Sequence, residues 1–289
     1  MVYRKSVYQQ LLERHATRQH AKFFLKSRGQ TLESVDRAHV VQDVALSHVR
    51  KAIPKEWRQV LVLRSDLDRF DFEARDLVIA VGQDGLVANL AKYLKGQSVI
   101  GINPDEQAND GVLCRHKASV LPKLLDSAHT GTLLTESRSL VEVCTDDGQS
   151  LLALNELFVG HKSHQSARYE IEFEGAREVQ SSSGLIVCTG TGASGWARSI
   201  SQQRASSPEL PKPCQPSLAF FVREPFPSLT TGTSIDAGQI RQGRSIELTS
   251  QMNEGGVIFG DGMESDRIQF HWGMKAEISI AERGLSLAI

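Results

Sequence analysis

An apolar run that ends in a glycine-rich turn constrains the fold of this chain more than any other stretch. Leu77 to Val81 is apolar, Gly82-Gln-Asp-Gly85 follows, and Val87 to Leu94 has the composition of a helix. The order strand, turn, helix is typical of an open α/β sheet, where the turn after a strand offers backbone N–H groups to anions. Asp84 is unexpected beside an anion, because two negative charges repel unless a metal ion or a proton intervenes. The turn therefore indicates phosphoryl chemistry, although Asp-Gly is also an ordinary turn dipeptide.

Length and charge limit the function classes. At 289 residues the chain is long for one compact core, so two domains are expected. A formal net charge of -1 provides no basic field, which argues against nucleic acid as a partner. No apolar run approaches the roughly 18 residues that a membrane helix requires, so no membrane partner is expected. The four cysteines contain no Cys-x-x-Cys pair, and neither a disulfide framework nor a zinc site is indicated.

Residues 1–129 are expected to form an α/β domain. Helices are predicted over Ser6–Arg28 and Ala38–Ile53, and strands over Gln59–Leu63, Leu77–Val81 and Ser98–Ile102. Short and almost wholly apolar strands belong to a buried parallel sheet. The first 28 residues are rich in Lys and Arg, as transit peptides are, but Glu13 and the continuation into folded sequence favour a helix. The expected location is therefore cytoplasmic.

Beyond about residue 130 the apolar residues alternate with polar ones. Ile268, Phe270 and Trp272 follow this pattern, and so do the residues from Tyr169 to Phe173. Alternation is typical of half-buried antiparallel strands. The sequence therefore predicts a β-rich second domain over residues 130–289.

Two later stretches carry polar residues of the kind that a ligand needs. Asn155 and Glu156 interrupt the apolar run Ala153–Val159, and a buried polar group without a hydrogen bond costs about 1–3 kcal/mol. Either neighbouring backbone or a ligand's hydroxyls satisfy this pair, and the pair taken alone favours the backbone. In the second stretch a strand leads into Thr189-Gly-Thr-Gly-Ala-Ser-Gly195 and a helix start near Ser194. Such a loop suits phosphate and ribose.

One histidine pair bears on metal binding. His161 and His164 stand three residues apart, a spacing that metal ligands use. A solvated loop between two strands explains the same residues and is favoured. The sequence therefore leaves the metal-binding residues unknown.

Taken together, the motifs and their order resemble the NAD kinase family. The stretches that carry the resemblance are Gly82-Gln-Asp-Gly85, Ile100-Gly-Ile-Asn103, Ala153-Leu-Asn-Glu156 and Ser183-Gly-Leu-Ile-Val-Cys-Thr-Gly-Thr-Gly-Ala-Ser-Gly-Trp196. The chain is most similar to the mitochondrial-type branch and its bacterial relatives, which carry Cys-Thr-Gly-Thr-Gly and Trp where other members carry Thr-Pro-Thr-Gly and Tyr. The resemblance covers most of the chain from about Tyr8 onward. It implies an NAD kinase-like fold with an N-terminal α/β domain and a C-terminal β-rich domain.

The resemblance also implies a reaction and a set of residues. An NAD kinase transfers the γ-phosphate of ATP, or of polyphosphate, to the 2′-hydroxyl of the adenosine ribose of NAD and so forms NADP. Asp84 matches the catalytic aspartate, the general base that accepts the hydroxyl proton. Residues that match nucleotide-binding positions are Gly82, Gln83, Gly85, Asn103, Asn155, Glu156, Thr189, Thr191, Ser194, Gly195, Trp196 and Ser199. Mg²⁺ is implied as the companion of ATP, and a homodimer as the oligomeric state.

Three departures from the family pattern leave a second hypothesis open. The family turn is Gly-Gly-Asp-Gly-Thr, whereas Gln83 and Leu86 here replace the second glycine and the threonine. A side chain at Gln83 takes up space where phosphate meets backbone, and Leu86 removes a hydroxyl. Only Met1 to Lys5 precede the first helix, so the family's first strand is expected to be absent or very short. The chain is thus expected to be an active NAD kinase or, as the alternative, a catalytically weakened nucleotide-binding homologue. A lipid kinase of the same superfamily would share the turn but would not explain Asn155 and Glu156.

Overall fold

The computed structural model describes residues 1–289, which form two compact units. The first unit comprises Met1–Glu136 and Ser286–Ile289, and the second comprises Ser137–Leu285. The sequence-based boundary before residue 130 did not foresee that the last four residues return to the first unit. None of the helices combines the length and the apolar character that crossing a bilayer requires.

The first unit contains helices and a parallel sheet. Its helices are α1 (Val7–His15), α2 (Arg18–Lys26), α3 (Leu32–Ala52), α4 (Asp84–Ala91) and α5 (Leu121–His129). Its strands are β1 (Val2–Tyr3), β2 (Val62–Leu63), β3 (Val78–Val81) and β4 (Ser98–Ile102), in the order β2-β1-β3-β4. The end of the last strand of the chain pairs in parallel with β4, Ser286 opposite Ser98. This pairing is the reason that the C-terminal residues belong here.

The predicted N-terminal helix is divided into two helices. Ser6 caps α1 by accepting from the backbone N–H of Gln9, whose side chain in turn accepts from the Ser6 N–H. Ala16 then adopts a left-handed conformation with φ of 59°, and Thr17 caps α2 by accepting from the His20 N–H. A left-handed residue followed by a new capping residue ends one helix and begins another. The single helix predicted over residues 6–28 is therefore wrong in its middle.

The first strand of the chain is present but only two residues long. Val2 pairs in parallel with Val62 on one side and Ala80 on the other. The prediction allowed for an absent or a very short strand, and the structure shows the short one. The strand predicted over residues 59–63 is likewise reduced to Val62–Leu63, whereas β4 has the predicted bounds.

The second unit consists of two antiparallel sheets around one core. Its elements are β5 (Thr135–Thr145), β6 (Ser150–Ala153), β7 (Glu156–His161), β8 (Ala167–Phe173), β9 (Ala176–Ser182), β10 (Leu185–Cys188), α6 (Trp196–Gln203), β11 (Ser217–Val222), β12 (Ala237–Arg241), β13 (Ser245–Ser250), β14 (Gly256–Gly260), β15 (Arg267–Gln269) and β16 (Lys275–Ala288). One sheet has the order β16-β13-β8-β9, and the other has the order β12-β11-β10-β7-β14-β15. Tyr169 and Ile278 of the first sheet share a buried cluster with Val187 and Phe220 of the second. Inward-facing side chains of both sheets thus form the core, as in a β-sandwich.

The alternation predicted near the C-terminus holds for two of its three residues. Ile268 and Phe270 are buried, but β15 ends at Gln269 and Trp272 is 61% exposed. Gly273, with φ of 80°, turns the chain directly after Trp272. This turn interrupts the period of two that a continuous strand would have maintained.

The fold class is thus the expected one. The first unit is an α/β unit with a parallel sheet, and the second is rich in antiparallel strands.

Candidate functional site

Three neighbouring strands of the second unit bring the polar residues of that unit together. In β7, Glu156 lies opposite Cys188, the last residue of β10, and Leu157 lies opposite Gly260, the last residue of β14. The loop after β10, the turn before β7 and the residue after β14 therefore share one edge of the sheet. The sheet register alone thus places Asp261 beside Asn155 and Glu156.

Asp261 holds the backbone of the turn before β7. Its carboxylate accepts hydrogen bonds from the N–H groups of Leu154 at 3.0 Å, Asn155 at 2.7 Å and Glu156 at 3.3 Å. In return the Asp261 N–H donates to the Glu156 carbonyl at 3.0 Å. Asp261 has φ of 54°, a left-handed conformation that Asp tolerates better than most residues. Bonds from three N–H groups to one carboxylate fix this turn firmly.

The side chains of Asn155 and Glu156 are left free by this arrangement. Neither makes a hydrogen bond within the protein, although both residues are partly buried. The sequence favoured neighbouring backbone groups as the hydrogen-bond partners of these two side chains. In the structure the backbone N–H groups of residues 154–156 instead donate to the Asp261 carboxylate. Burial, with a smaller contribution from the charge of Asp261, raises the pKa of Glu156 to about 7. Two polar side chains are therefore available to a ligand, and the carboxyl titrates near neutral pH.

Thr189 fixes the glycine-rich loop against the same turn. It is fully buried, its hydroxyl donates to the Leu154 carbonyl, and its N–H donates to the Asn155 carbonyl at 2.9 Å. The same hydroxyl accepts from the N–H groups of Thr191 at 3.0 Å and Gly192 at 3.3 Å. A Cβ at Gly192 would lie 2.2 Å from the Asn155 carbonyl oxygen, so only glycine permits this close approach. The loop and the Asn155 turn thus pack as one body.

The hydroxyl of Thr191 is an exception among these satisfied groups. Its oxygen is buried and has no hydrogen-bond partner. Buried polar atoms are usually paired, and an unpaired one calls for an explanation such as a missing ligand contact.

The loop continues into α6, whose first residue is Trp196. The residue is 39% exposed. Its ring lies nearly parallel to that of Phe158 at 6.1 Å between centroids, and the Arg223 guanidinium is 4.7 Å from the centre of the ring. Trp196, which matches a nucleotide-binding position of the family, thus has one face of its ring directed at Phe158 within the protein. Ser194 and Ser199 are exposed, and Ser199 donates its N–H to the Gly195 carbonyl.

In the first unit, Asp84 is held by a loop in much the same manner. Its Oδ2 accepts from the Val112 N–H at 3.0 Å, and its Oδ1 accepts from the N–H groups of Leu113 at 2.8 Å and Cys114 at 2.9 Å. A carboxylate has about four acceptor positions, two on each oxygen. Oδ1 is thus fully used, and Oδ2 keeps one free position. The Cys114 thiol stays protonated, because burial and then the Asp84 charge raise its pKa to about 12.

The residues around Asp84 define how the turn differs from the family pattern. Helix α4 begins at Asp84, with Gln83 as an exposed capping residue whose side chain makes no capping bond. Gly82 donates its N–H to the Ile102 carbonyl at 3.0 Å, and Gly85 is exposed with open space around it. Leu86 is only 4% exposed and lies under Gly82. The side chain that replaces threonine therefore points into the core and away from solvent.

Asn103 supports the loop that holds Asp84. Its amide nitrogen donates to the Asn109 carbonyl at 2.9 Å, and its amide oxygen accepts from the Asp105 N–H at 3.0 Å. A Cβ at Gly111, where φ is 67°, would lie 2.7 Å from the same amide nitrogen. Both ends of the Asn103 amide, predicted to bind nucleotide, are thus engaged within the protein.

The sequence interpretation missed Asp261, Phe158 and Arg223. The signal for Asp261 was available, because Gly260-Asp-Gly262 repeats the Asp-Gly dipeptide of the Asp84 turn. No comparable signal identifies Phe158 or Arg223, which reach Trp196 only through strand pairing.

No group of three or more His, Cys, Asp or Glu side chains could hold a metal ion. His161 ends β7, and His164 lies in the loop between β7 and β8. The His161 Nδ1 atom is 2.9 Å from the Ser163 hydroxyl.

Comparison with known proteins gives relatives of one kind. No family model matches the chain. The human protein "NAD kinase 2, mitochondrial" is 28% identical over 229 residues, which cover 63% of this chain and 52% of the human protein. The NAD kinase of Rickettsia peacockii (strain Rustic) is 30% identical over 145 residues, 48% of this chain and 53% of that protein. The aligned parts thus span about half the length of each of these two relatives.

The fold is also found among solved structures. The superposition on the crystal structure of yeast NADH kinase complexed with NADH covers 86% of this chain and 80% of the yeast chain. Its TM-score is 0.61. The two sequences are 13% identical, so this likeness concerns the fold. It agrees with the NAD kinase-like architecture expected from the motifs. The sequence matches to mitochondrial and bacterial NAD kinases confirm the predicted resemblance to the NAD kinase family.

Proposed function

We propose that this protein is an NAD kinase that phosphorylates the adenosine ribose of NAD at its 2′-hydroxyl. The donor is ATP or polyphosphate, and the product is NADP. Asn155, Glu156 and the Thr189–Trp196 loop bind NAD. The relationship to NAD kinases supports the reaction class.

The observation that carries the proposal is a set of unsatisfied polar groups on a rigid support. The backbone around Asn155 is held by Asp261 and Thr189, whereas the Asn155 and Glu156 side chains and the Thr191 hydroxyl have no protein partners. A site that binds hydroxyl and phosphate groups needs such fixed and unpaired donors and acceptors. The chemistry of these groups matches the ribose and diphosphate of a dinucleotide.

Asp84 is the proposed general base, acting through Oδ2. Oδ2 is the only carboxylate oxygen with a free acceptor position, because Oδ1 already accepts two hydrogen bonds. The ribose oxygen attacks the γ-phosphorus, Oδ2 takes the hydroxyl proton, and the bond from phosphorus to the ADP oxygen breaks. A positioned base contributes about 10²–10⁴ in rate.

Mg²⁺ is proposed only as the companion of the donor phosphates. The Asp84 Oδ1 atom already accepts two hydrogen bonds and so has no acceptor position left for an ion. No cluster of His, Cys, Asp or Glu side chains suits a metal ion. The ion would be held by ATP, where it neutralises charge on the phosphates. No step of the proposed phosphoryl transfer depends on a metal ion bound by the protein.

The experiment is a coupled assay for NADP on the full chain with NAD, Mg²⁺ and either ATP or polyphosphate. We expect NADP from wild type and a loss of at least about a hundredfold in kcat for Asp84→Asn. Asp110→Asn is the matched control, because it is an exposed carboxylate in the same loop. Wild type that forms no NADP with any donor, or an Asp84→Asn variant with undiminished kcat, would overturn the proposal.

The alternative is a homologue that binds nucleotide without transferring phosphate. Its specific support is that Asp84 already makes three backbone hydrogen bonds, a structural role that does not require catalysis. Binding of NAD by calorimetry without any NADP formation would select this alternative.

A further inference from the structure

A cavity of about 590 Å³ lies in the first unit, away from the Asp84 turn. It is lined by the residues that precede or begin β2 and β3, including Val60 and Leu77. The Asp84 turn follows the opposite end of β3. Ile79 is the last residue of β3 that lines the cavity, and Ala80 and Val81 separate it from Gly82 by roughly 10 Å of extended strand. No residue of the Asp84 turn lines the cavity. The cavity is therefore independent of the proposed phosphoryl-transfer residues.

One wall of the cavity is aromatic and held in place within the protein. Trp57, Phe70 and Phe72 line it, and the rings of the two phenylalanines meet edge to face at 4.8 Å. The buried Gln97 amide donates to the carbonyls of Phe72 at 3.2 Å and Glu73 at 3.0 Å, which fixes this wall. Ring surfaces held in place before binding favour a planar ligand, because little order is lost on association.

The charges around the cavity are unbalanced. Glu73 is paired with Arg58 at 3.4 Å, and Asp71 with Lys95 at 3.7 Å. Arg50 and Arg75 also line the cavity, but neither has an ion pair, a hydrogen bond or a ring contact. Asp76 and the Met1 ammonium line the cavity as well; the Asp76 carboxylate accepts from the Glu73 N–H at 2.9 Å, and its negative charge acts on the Met1 ammonium. With these two opposite charges set against each other, the charge left over is that of the two guanidinium groups, which bind carboxylate, sulfonate and phosphate groups well.

We propose that this cavity binds a small planar aromatic anion. Its ring would lie against Trp57 and the phenylalanine wall, and its acidic group would meet Arg50 and Arg75. The volume lies within the range of small-molecule sites, roughly 300–1,000 Å³, and the lining combines an apolar floor with a few charged groups as such sites do. This site is separate from the proposed NAD kinase reaction and would exist in a protein without that activity.

The probe is 2-naphthalenesulfonate, titrated into the full chain with NAD present at saturation and followed by calorimetry. We expect one site, and a Kd raised at least about fivefold by Arg75→Gln and by Arg50→Gln, since each removes one charged contact. Trp57→Ala should weaken binding by a similar factor through the lost ring contact. Matched controls are Arg168→Gln and Trp272→Ala, which change exposed residues of the second unit and should leave Kd within twofold. The neutral analogue 2-naphthalenemethanol should bind at least about tenfold more weakly than the sulfonate.

Three outcomes would overturn the proposal. They are absence of probe binding when NAD is present at saturation, equal binding of the neutral analogue, or a Kd unchanged in both arginine variants. Because Trp57 packs partly against the core, its variant could misfold. The two arginines are exposed, so their variants keep the test decisive whatever happens to Trp57→Ala.

Discussion

The Asp261 carboxylate accepts a hydrogen bond from the backbone N–H of Asn155 at 2.7 Å, across 106 residues of sequence. The Asp84 carboxylate accepts from the Leu113 N–H at 2.8 Å in the first unit. In each unit, one aspartate of the candidate site thus accepts hydrogen bonds from three backbone N–H groups. The two aspartates differ in role. Asp261 fixes the backbone that carries the Asn155 and Glu156 side chains, whereas Asp84 is itself the proposed base.

Asp261→Asn should loosen the Asn155 turn. The amide nitrogen of Asn would face a backbone N–H, so at least one hydrogen bond to a charged acceptor is lost. This loss should lower the free energy of unfolding by about 1–3 kcal/mol. The affinity for NAD should fall, and the pKa of Glu156 should fall because the charge of Asp261 helps to raise it. Denaturant unfolding and NAD titration measure the first two effects. Glu254→Gln, an exposed carboxylate in the same unit, is the control; equal stability of Asp261→Asn and wild type would contradict this role.

Thr191→Val separates a binding role from a structural one. The Thr191 hydroxyl is buried without a partner, so an isosteric methyl should leave stability unchanged or raise it by up to about 1 kcal/mol. The affinity for NAD should nevertheless fall by about fivefold or more, as expected for one lost hydrogen bond. Thr189→Val is the matched control two residues away. Its hydroxyl makes three hydrogen bonds, and the variant should lose about 1–3 kcal/mol. If Thr191→Val destabilised the protein as much as Thr189→Val, the hydroxyl would have a protein partner after all.

Local sequence signals predicted much of the first unit and failed where long-range pairing decides. Ser98–Ile102 was predicted with its bounds because an apolar run between polar neighbours is a local feature. The break at Ala16 was missed, although Thr17 is a capping residue, because apolar positions on both sides suggested one helix. The two-residue strand Val2–Tyr3 exists only because β2 and β3 flank it, and no local pattern marks it.

The candidate site shows the same division. The turn residues Asn155 and Glu156 and the Thr189 loop were found because polar residues interrupt apolar strands. Asp261 was missed because its partners are more than 100 residues earlier in the chain and meet it only through the β7–β14 register. The inward direction of Leu86 could not be deduced from a comparison of residue types alone.

The stability of the protein should depend on pH through Glu156. Its pKa is raised in the folded state from the ordinary 4.5 to about 7, so the folded protein binds more protons than the unfolded chain between these values. Stability should therefore fall as pH rises from about 4.5 to 7 and stay level above that. Because Glu156 is partly exposed, solvent screening limits this loss of stability to about 1–2 kcal/mol. Glu156→Gln should abolish this slope and be more stable than wild type at pH 8, as measured by urea unfolding at several pH values. A slope that is unchanged in the variant would assign the titration to another group.

The two departures from the family turn should behave differently when each is reversed. Leu86 is 4% exposed, so Leu86→Thr removes buried apolar surface and places a hydroxyl in the core. The free energy of unfolding should therefore fall by about 2 kcal/mol. Because the side chain points inward, this variant should not lower the KM for ATP. Gln83 is exposed and caps α4 at φ of −98°, a conformation open to any residue, so Gln83→Gly should change stability by less than about 0.5 kcal/mol. If the Gln83 side chain hinders the donor, the KM for ATP falls in this variant alone, as steady-state kinetics with varied ATP would measure. A Leu86→Thr variant as stable as wild type and with a lower KM would show that residue 86 faces the donor and that its burial in the core is incorrect.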